Sequence, residues 1–277
     1  MIECVDVDHV LILSETPKAD LELLQTVTGF PEAWPYRDFG AIQTGAVWAG
    51  KMAIEVARLD GARNIPTRLA GLALSTSQAP WDLAEALRAA DIKHVPPTFV
   101  SADPAREMAW TNTVVGGALD SEPRTFWLGR RFGGRHGLSR WLARVADGMA
   151  RSPRGLRSLN AVIQGQLLFF LHFDPADEAQ RRRMLAKADF ASRFGGLDAG
   201  DYTVSIDLDL APDSRAATTW KTVLANPLLP GRWLSPAGVE LVFHPAGETQ
   251  LRGIRIAGLF PGGVALPGAL GEIISLV

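Results

Sequence analysis

Three side chains that could bind a metal ion or move a proton lie in apolar stretches of this sequence: His9, Glu55 and His172. His9 follows Asp8 within the segment 7–13, whose other residues are those of a buried β-strand. A buried imidazole needs a partner, because an unsatisfied polar group in a core costs about 1–3 kcal/mol. That partner can be a backbone carbonyl, a tyrosine, a carboxylate or a metal ion. Strand alternation places Asp8 on the opposite face, so Asp8 is not assigned to the site.

Glu55 and His172 each have a structural alternative to a role in chemistry. Glu55 alternates with Ala53 and Ala57 along a strand-like stretch, so small residues leave space around its carboxylate. The carboxylate must be paired, bind a metal or face solvent, because an unpaired buried charge is very costly. His172 lies near the end of the apolar segment 167–173, where a capped core histidine is the alternative.

The remaining histidines are predicted in loops or turns. His94 and His244 both stand close to prolines, and His136 lies in an Arg- and Gly-rich segment. Arg131 of that segment could bind an anionic substrate, since guanidinium groups suit carboxylates. A solvated loop is the alternative.

Composition excludes several classes of protein. With 277 residues, 47% hydrophobic and 21% charged, the chain is typical of a globular protein, and its net charge of −2 does not favour nucleic acid or anionic lipid. No apolar run approaches the roughly 20 residues that span a bilayer, and the first residues lack the pattern of a secretory signal. A single cysteine, Cys4, excludes an internal disulfide and fits a reducing cytoplasm. Eight tryptophans indicate a heavy core or an apolar pocket.

A unit of strand, helix and further strands recurs along the chain. The first unit takes about 55 residues, and its helix is predicted to begin near Pro17 and to end at Gly29. The second unit is interrupted before its last strand by an insertion near 120–160. We therefore predict paired units one and two over 1–175, and a third unit with an apolar tail over 176–277.

Three short motifs in the first unit resemble those of the vicinal oxygen chelate superfamily, the glyoxalase-like proteins. They are Val7-Asp8-His9-Val10-Leu11-Ile12, the helix end Val27-Thr28-Gly29-Phe30, and Met52-Ala53-Ile54-Glu55-Val56. The resemblance implies an α+β fold of repeated βαβββ units that form cupped, barrel-like mixed sheets. Glyoxalases, bleomycin-resistance proteins and extradiol dioxygenases have this fold.

The resemblance also implies a metal site in the cup. Matching repeat positions give His9, Glu55 and His172 as ligands of a divalent metal, Fe²⁺, Mn²⁺ or Zn²⁺, with Glu55 also catalytic. The corresponding first-strand position of unit two is Gly71, which cannot bind a metal; this argues against glyoxalase I activity itself. The residues predicted to contact substrate are Gln43, Trp48, Trp110, Asn112 and Arg131.

Two functions from different classes follow from this resemblance. The first is a metal-dependent enzyme that acts on a small apolar or aromatic molecule bearing paired oxygens, as an isomerase, lyase, hydrolase or dioxygenase. The second is a metal-free protein that binds or sequesters a small molecule. An odd number of units also suggests a homodimer that pairs the third unit.

Overall fold

A computed structural model gives the structure of residues 2–3, 6–38, 42–59, 66–101, 109–119, 165–174, 176, 178, 190–197, 200–224 and 231–277, with the backbone alone described for 98–101 and 109. The insertion predicted near 120–160, including Arg131, lies outside the described residues.

The first sheet has eight strands and consists of two βαβββ units. Its strand order is β2-β3-β4-β1-β5-β8-β7-β6. In each unit the first and last strands are parallel neighbours, and the two units meet where β1 and β5 pair in antiparallel orientation. This confirms the predicted α+β fold, although the sheets are open and do not close into a barrel. The elements are β1 (Asp6–Leu13), α1 (Pro17–Thr28), β2 (Glu32–Asp38), β3 (Ile42–Trp48), β4 (Ala53–Leu59), β5 (Arg68–Ser75), α2 (Pro80–Ala89), β6 (Thr98–Ser101), β7 (Ala109–Val115) and β8 (Leu167–Phe173).

Local sequence explains how the first unit turns from strand to helix and back. Pro17 occupies the first turn of α1, where its missing N–H breaks no helical hydrogen bond. Gly29 ends the helix in the left-handed region, with φ of 71°, and its N–H donates to the carbonyl of Gln25. Leu21 and Leu24 bury one face of α1 in the core of the first unit.

The second sheet repeats the same pattern in a shorter form. Its order is β10-β11-β9-β12-β13. β9 and β11 are parallel, as the first and last strands of a unit should be, and β12 pairs antiparallel with β9 as β5 does with β1. A helix then leads to β13, which is parallel to β12. The elements are α3 (Phe190–Arg193), β9 (Thr203–Leu210), α4 (Arg215–Val223), β10 (Arg232–Leu234), β11 (Val239–Pro245), β12 (Gln250–Ala257), α5 (Gly268–Ile273) and β13 (Ile274–Leu276).

The structure therefore differs from the prediction of a single third unit with an apolar tail. The strand β12 was expected to close that unit, but its antiparallel pairing makes it the first strand of a shortened fourth unit. The tail supplies the helix and last strand of this fourth unit. The homodimer was suggested because an odd number of units would leave the third unit unpaired. That argument no longer applies, because the third unit pairs with the fourth within the chain.

The two sheets share one hydrophobic cluster. It joins buried residues of both sheets, such as Val10 and Ile206, and Gln166 ties the sheets together by hydrogen bonds to the backbone of Leu69 and Leu251. None of the helices in the described ranges is long and apolar enough to cross a membrane.

Candidate functional site

His9 and Glu55 come together on one face of the first sheet. In the parallel pairing of β1 with β4, His9 stands opposite Ala53 and Leu11 stands opposite Glu55, so the two side chains share a face, one step apart. His9 Nε2 lies 3.0 Å from Glu55 Oε2, and only 6% of the His9 surface is exposed. The repeat-based prediction therefore placed these two residues together as the structure does.

Asp8 belongs to this site, although strand alternation placed it on the other face. Its Oδ1 lies 2.8 Å from His9 Nδ1. The pairing of β1 with β5 passes from Val7 directly to His9, so Asp8 is the extra residue of a β-bulge. A bulge breaks the alternation of side chains, which is why the sequence rule failed at this residue.

Thr44 also belongs to the site and was missed, while its neighbour Gln43 was predicted instead. The Thr44 hydroxyl donates to Glu55 Oε1 over 2.5 Å. Gln43 is on the opposite face of β3, where it bonds to Asp38 and Tyr36. The prediction identified the correct strand and the wrong face, because the flanking glycine and alanine residues of this strand give no clear alternation.

The electrostatics of the site favour a charged histidine in the metal-free protein. Burial lowers the pKa of His9, but the hydrogen bonds and charges of Asp8 and Glu55 raise it by more, and the net effect raises the pKa to about 9. The imidazole therefore carries a proton at neutral pH, held between two carboxylates.

His172 does not join this pair, contrary to the prediction. Its neighbours on β8, Leu171 and Phe173, face the same side as His9, so His172 faces the other side. There its Nε2 lies 3.9 Å from Asp174, and its buried Nδ1 has no hydrogen-bond partner among the described residues. No group of three histidine, cysteine or acidic side chains that could hold a metal is found among the described residues.

A pseudo-twofold relation between the two units identifies the residues that replace the missing ligands. The pairing of β1 with β5 has one bulge in each strand, at Asp8 and at Ala70. His9 directly follows the first bulge and Gly71 directly follows the second, so Gly71 is the counterpart of His9. The same relation makes Phe169 the counterpart of Glu55. His9 pairs with Ala53, and Glu55 follows Ala53 by two residues; Gly71 pairs with Leu167, and Phe169 follows Leu167 by two residues.

Hydrogen bonds that recur in both units confirm this alignment. Ser14 N–H donates to the carbonyl of Ala57 over 2.9 Å, and its counterpart Thr76 donates to that of Leu171 over 3.0 Å. The hydroxyl groups of Ser14 and Thr76 in turn accept from backbone N–H groups two residues later. The predicted ligand His172 is therefore three positions away from the residue that occupies the ligand position in unit two.

Aromatic rings surround the polar pair. Trp34 and Phe169 both contact the His9 ring edge-on, with centroids 5.7 Å and 5.5 Å away. Trp48 and Trp34 both pack against a small cluster of alanine residues in unit one. Trp110 and Asn112 lie on this face of the sheet in unit two, because they alternate with Thr111, which faces the other side. Their contact with a substrate stays a prediction.

Comparison with known proteins relates the fold but not the activity. No family model matches the chain, and no curated protein matches it. Among solved structures, a hypothetical protein from Staphylococcus aureus has a TM-score of 0.58 and 9% identity, covering 99% of this chain and 98% of that one. The shared fold thus includes both sheets.

Two further solved structures match less well. An Mn(II)-bound glyoxalase from Novosphingobium aromaticivorans has a TM-score of 0.44 and 12% identity over 93% of this chain and 66% of its own. A methylmalonyl-CoA epimerase from Mycobacterium tuberculosis has a TM-score of 0.38 and 12% identity over 65% of this chain and 95% of its own. At such values neither match carries an argument about metal or substrate.

Proposed function

We propose that this protein is an enzyme that acts on a small, mainly apolar molecule. Two neighbouring oxygen atoms of this molecule would contact His9 and Glu55. The observation that carries the proposal is a buried histidine held between two carboxylates on a sheet face otherwise lined by aromatic and aliphatic side chains. Apolar ligand sites with a few polar groups at one point are typical of small-molecule enzymes.

His9 and Glu55 are also the residues that would hold a divalent cation. Nitrogen and carboxylate ligands suit Fe²⁺, Mn²⁺ and Zn²⁺. His9 Nε2 lies 3.0 Å from Glu55 Oε2, while Asp8 bonds to His9 Nδ1 and Thr44 bonds to Glu55 Oε1. A bound cation would act as a Lewis acid on the oxygens of the substrate. The described residues supply two ligands instead of the three predicted, so the pair fits a cation only in part.

Neighbouring side chains orient His9 and Glu55 and shield them from water. Asp8 accepts the Nδ1 proton of His9, which leaves Nε2 as the atom that faces the ligand. Thr44 orients the Glu55 carboxylate through Oε1, so that Oε2 remains for a proton or a substrate oxygen. Trp34 and Phe169 flank the imidazole and exclude water, which strengthens the electrostatic interactions there.

The small number of protein ligands, His9 and Glu55, determines how a cation would bind. A cation held by one imidazole and one carboxylate keeps most of its coordination positions for other oxygens. We therefore expect weak binding of the cation alone and tight binding together with a molecule that chelates it. We also expect cation affinity to rise with pH, because His9 must lose its proton first.

A metal-free binding protein is the second candidate function. It is favoured by Gly71 and Phe169, which occupy in unit two the positions of His9 and Glu55 and offer no ligand atom. In this function the same face would bind an apolar molecule directly, and protonated His9 would donate to its oxygen.

Calorimetric titration separates the two functions. EDTA-treated protein is titrated with Mn²⁺, with naphthalene-2,3-diol as an oxygen-chelating probe, and with both together. The enzyme proposal predicts about one Mn²⁺ per chain in the presence of the diol, lost in His9→Ala and kept in the control His244→Ala. Diol binding that is the same without Mn²⁺ supports the metal-free candidate, and binding of neither probe contradicts both.

A further inference from the structure

A cleft of about 490 Å³ lies where the two sheets meet, and the site around His9 does not use it. Its walls come from the beginnings of β5 and β12, from residues just before β8, and from α5. Gln166 is part of the wall and bonds to the backbone of Leu69 in the first sheet and of Leu251 in the second. We call this space the junction cleft. Small-molecule sites often have volumes of about 300–1,000 Å³ and lie at such junctions between domains.

The junction cleft carries charged side chains of both signs. Arg68 is half-buried in it, whereas Glu248, Arg252 and Glu272 are exposed at its rim. Buried residues such as Leu251 form its floor. The charges of two arginines and two glutamates cancel, so the cleft as a whole favours neither a simple anion nor a simple cation.

Arg68 is the most buried of these four charged side chains. Its guanidinium group donates to the carbonyl of Gly165 over 3.3 Å. Burial lowers the pKa of Arg68, because removal from water disfavours the charged form. A carboxylate beside the guanidinium group would stabilise the charged form, and its two oxygens match the planar fork of donors. A charged group with a shifted pKa inside a cleft is typical of a binding site.

The charges at the rim indicate what else the ligand carries. Arg252 lies 3.6 Å from Asp209 on β9, so an acidic group of the protein already balances its charge. Glu248, in the turn before β12, and Glu272, on α5, then make the rim negative. A simple anion bound to Arg68 would be repelled by these two carboxylates, whereas a ligand with a positive group at its other end would be attracted to them.

We propose that the junction cleft binds a small zwitterion, whose carboxylate bonds to Arg68 and whose ammonium group contacts Glu248 and Glu272. A rounded cavity of this volume is about 10 Å across, so a chain of about four to six carbon atoms joins the two charged groups. Free ω-amino acids belong to this class of molecule. None of the residues named for the cleft belongs to the site around His9, so this binding does not depend on the proposed function.

Calorimetric titration with a matched series of probes tests the proposal. The probes 4-aminobutanoate, 5-aminopentanoate and 6-aminohexanoate carry both charges, whereas butanoate, pentanoate and hexanoate carry the carboxylate alone. The wild type is expected to bind at least one of the amino acids about 3- to 10-fold more tightly than the carboxylate of the same length, because its ammonium group pairs with exposed carboxylates.

Three variants locate the binding. Arg68→Gln keeps a side-chain N–H and removes the cation, so binding of the amino acid should weaken at least about tenfold. Glu248→Gln combined with Glu272→Gln should bind the amino acid and its matched carboxylate equally, because the rim is no longer negative. Arg255→Gln is the matched control and should leave binding unchanged, since Arg255 is an exposed arginine of β12 that contacts Asp207 outside the cleft.

The outcomes that contradict the proposal are distinct. Equal binding of amino acid and carboxylate by the wild type overturns the zwitterion. Unchanged binding in Arg68→Gln, or an equal loss in Arg255→Gln, overturns the position in the cleft. Binding of none of the six probes overturns the whole proposal. Diol binding that depends on Mn²⁺ should be the same in all three variants, so failure here leaves the proposed function standing.

Thermal unfolding distinguishes lost binding from lost folding. A ligand that binds only the folded protein raises its Tm. The tightest-binding amino acid should therefore raise the Tm of the wild type and of Arg255→Gln, and should not raise that of Arg68→Gln. If Arg68→Gln has a lower Tm without ligand, the combined variant at Glu248 and Glu272 decides the outcome, because its two changes are exposed.

Discussion

The charged state of His9 predicts how the stability of the metal-free protein depends on pH. The pKa of His9 is raised to about 9 in the folded protein, against about 6.5 in an unfolded chain. Folding therefore strengthens proton binding, and the resulting stabilisation is complete below pH 6.5. It is lost as pH rises through 9, where the folded protein also releases the proton.

The size of the effect follows from the same two pKa values. A difference of about 2.5 pKa units corresponds to about 3 kcal/mol in the free energy of unfolding. Glu55→Gln leaves Asp8 as the one remaining carboxylate beside the imidazole, so the fall in stability across this pH range should be smaller by at least about 1 kcal/mol.

Urea unfolding in EDTA measures the free energy of unfolding of the wild type and of Glu55→Gln at pH 6.5, 7.5, 8.5 and 9.5, with tryptophan fluorescence as the signal. Other groups that titrate in this range contribute equally to wild type and variant, so the difference between the two curves isolates His9. His244→Ala is the control, because His244 lies on the second sheet beside Asp207 and should leave the fall unchanged. A wild-type curve that is flat over this range, or an equal fall in Glu55→Gln, would refute the argument.

Three further predictions concern the ligand positions, the join between the sheets and one turn. Combining Gly71→His with Phe169→Glu restores ligands at the pseudo-symmetric positions, so Mn²⁺ affinity in calorimetry should rise at least about tenfold. Gln166→Leu removes two hydrogen bonds to Leu251 of the second sheet and one to Leu69 of the first, and should lower the free energy of unfolding by about 2–4 kcal/mol. Gly50→Ala strains a backbone with φ of 81° and meets Tyr202, so unfolding should cost about 2–4 kcal/mol less, unlike Gly247→Ala, whose added Cβ would meet open space.

Much of the fold could be predicted from local sequence because local rules govern it. Pro17 and Gly29 define the limits of α1, and the apolar strands follow directly from their composition. The repeat was also visible, and it paired His9 with Glu55 correctly. The fourth unit could not be seen, because a strand that closes one unit and a strand that opens the next have the same pattern and differ only in pairing direction.

The errors at the site have a common physical origin, which is register. His172 was matched to Glu55 by its place in the last strand of a unit, but the pairing of β8 with β5 puts Phe169 there. Asp8 was excluded by an alternation that a bulge interrupts. Both errors are shifts of one to three residues, and each moves a side chain to the opposite face of the sheet.

The two units differ at two positions whose side chains compete for the same space. A Cβ at position 71 would lie 3.1 Å from the carbonyl oxygen of Leu167 and 3.2 Å from the Phe169 ring. Gly71 therefore makes room for the ring that replaces a carboxylate, and the ring in turn fills the space that a side chain at position 71 would need. Adding a side chain at position 71 alone should be unfavourable, because it meets the Phe169 ring and the Leu167 carbonyl. On this face, unit one therefore carries the ionisable groups of His9, Glu55 and Asp8, whereas unit two carries apolar side chains around Phe169.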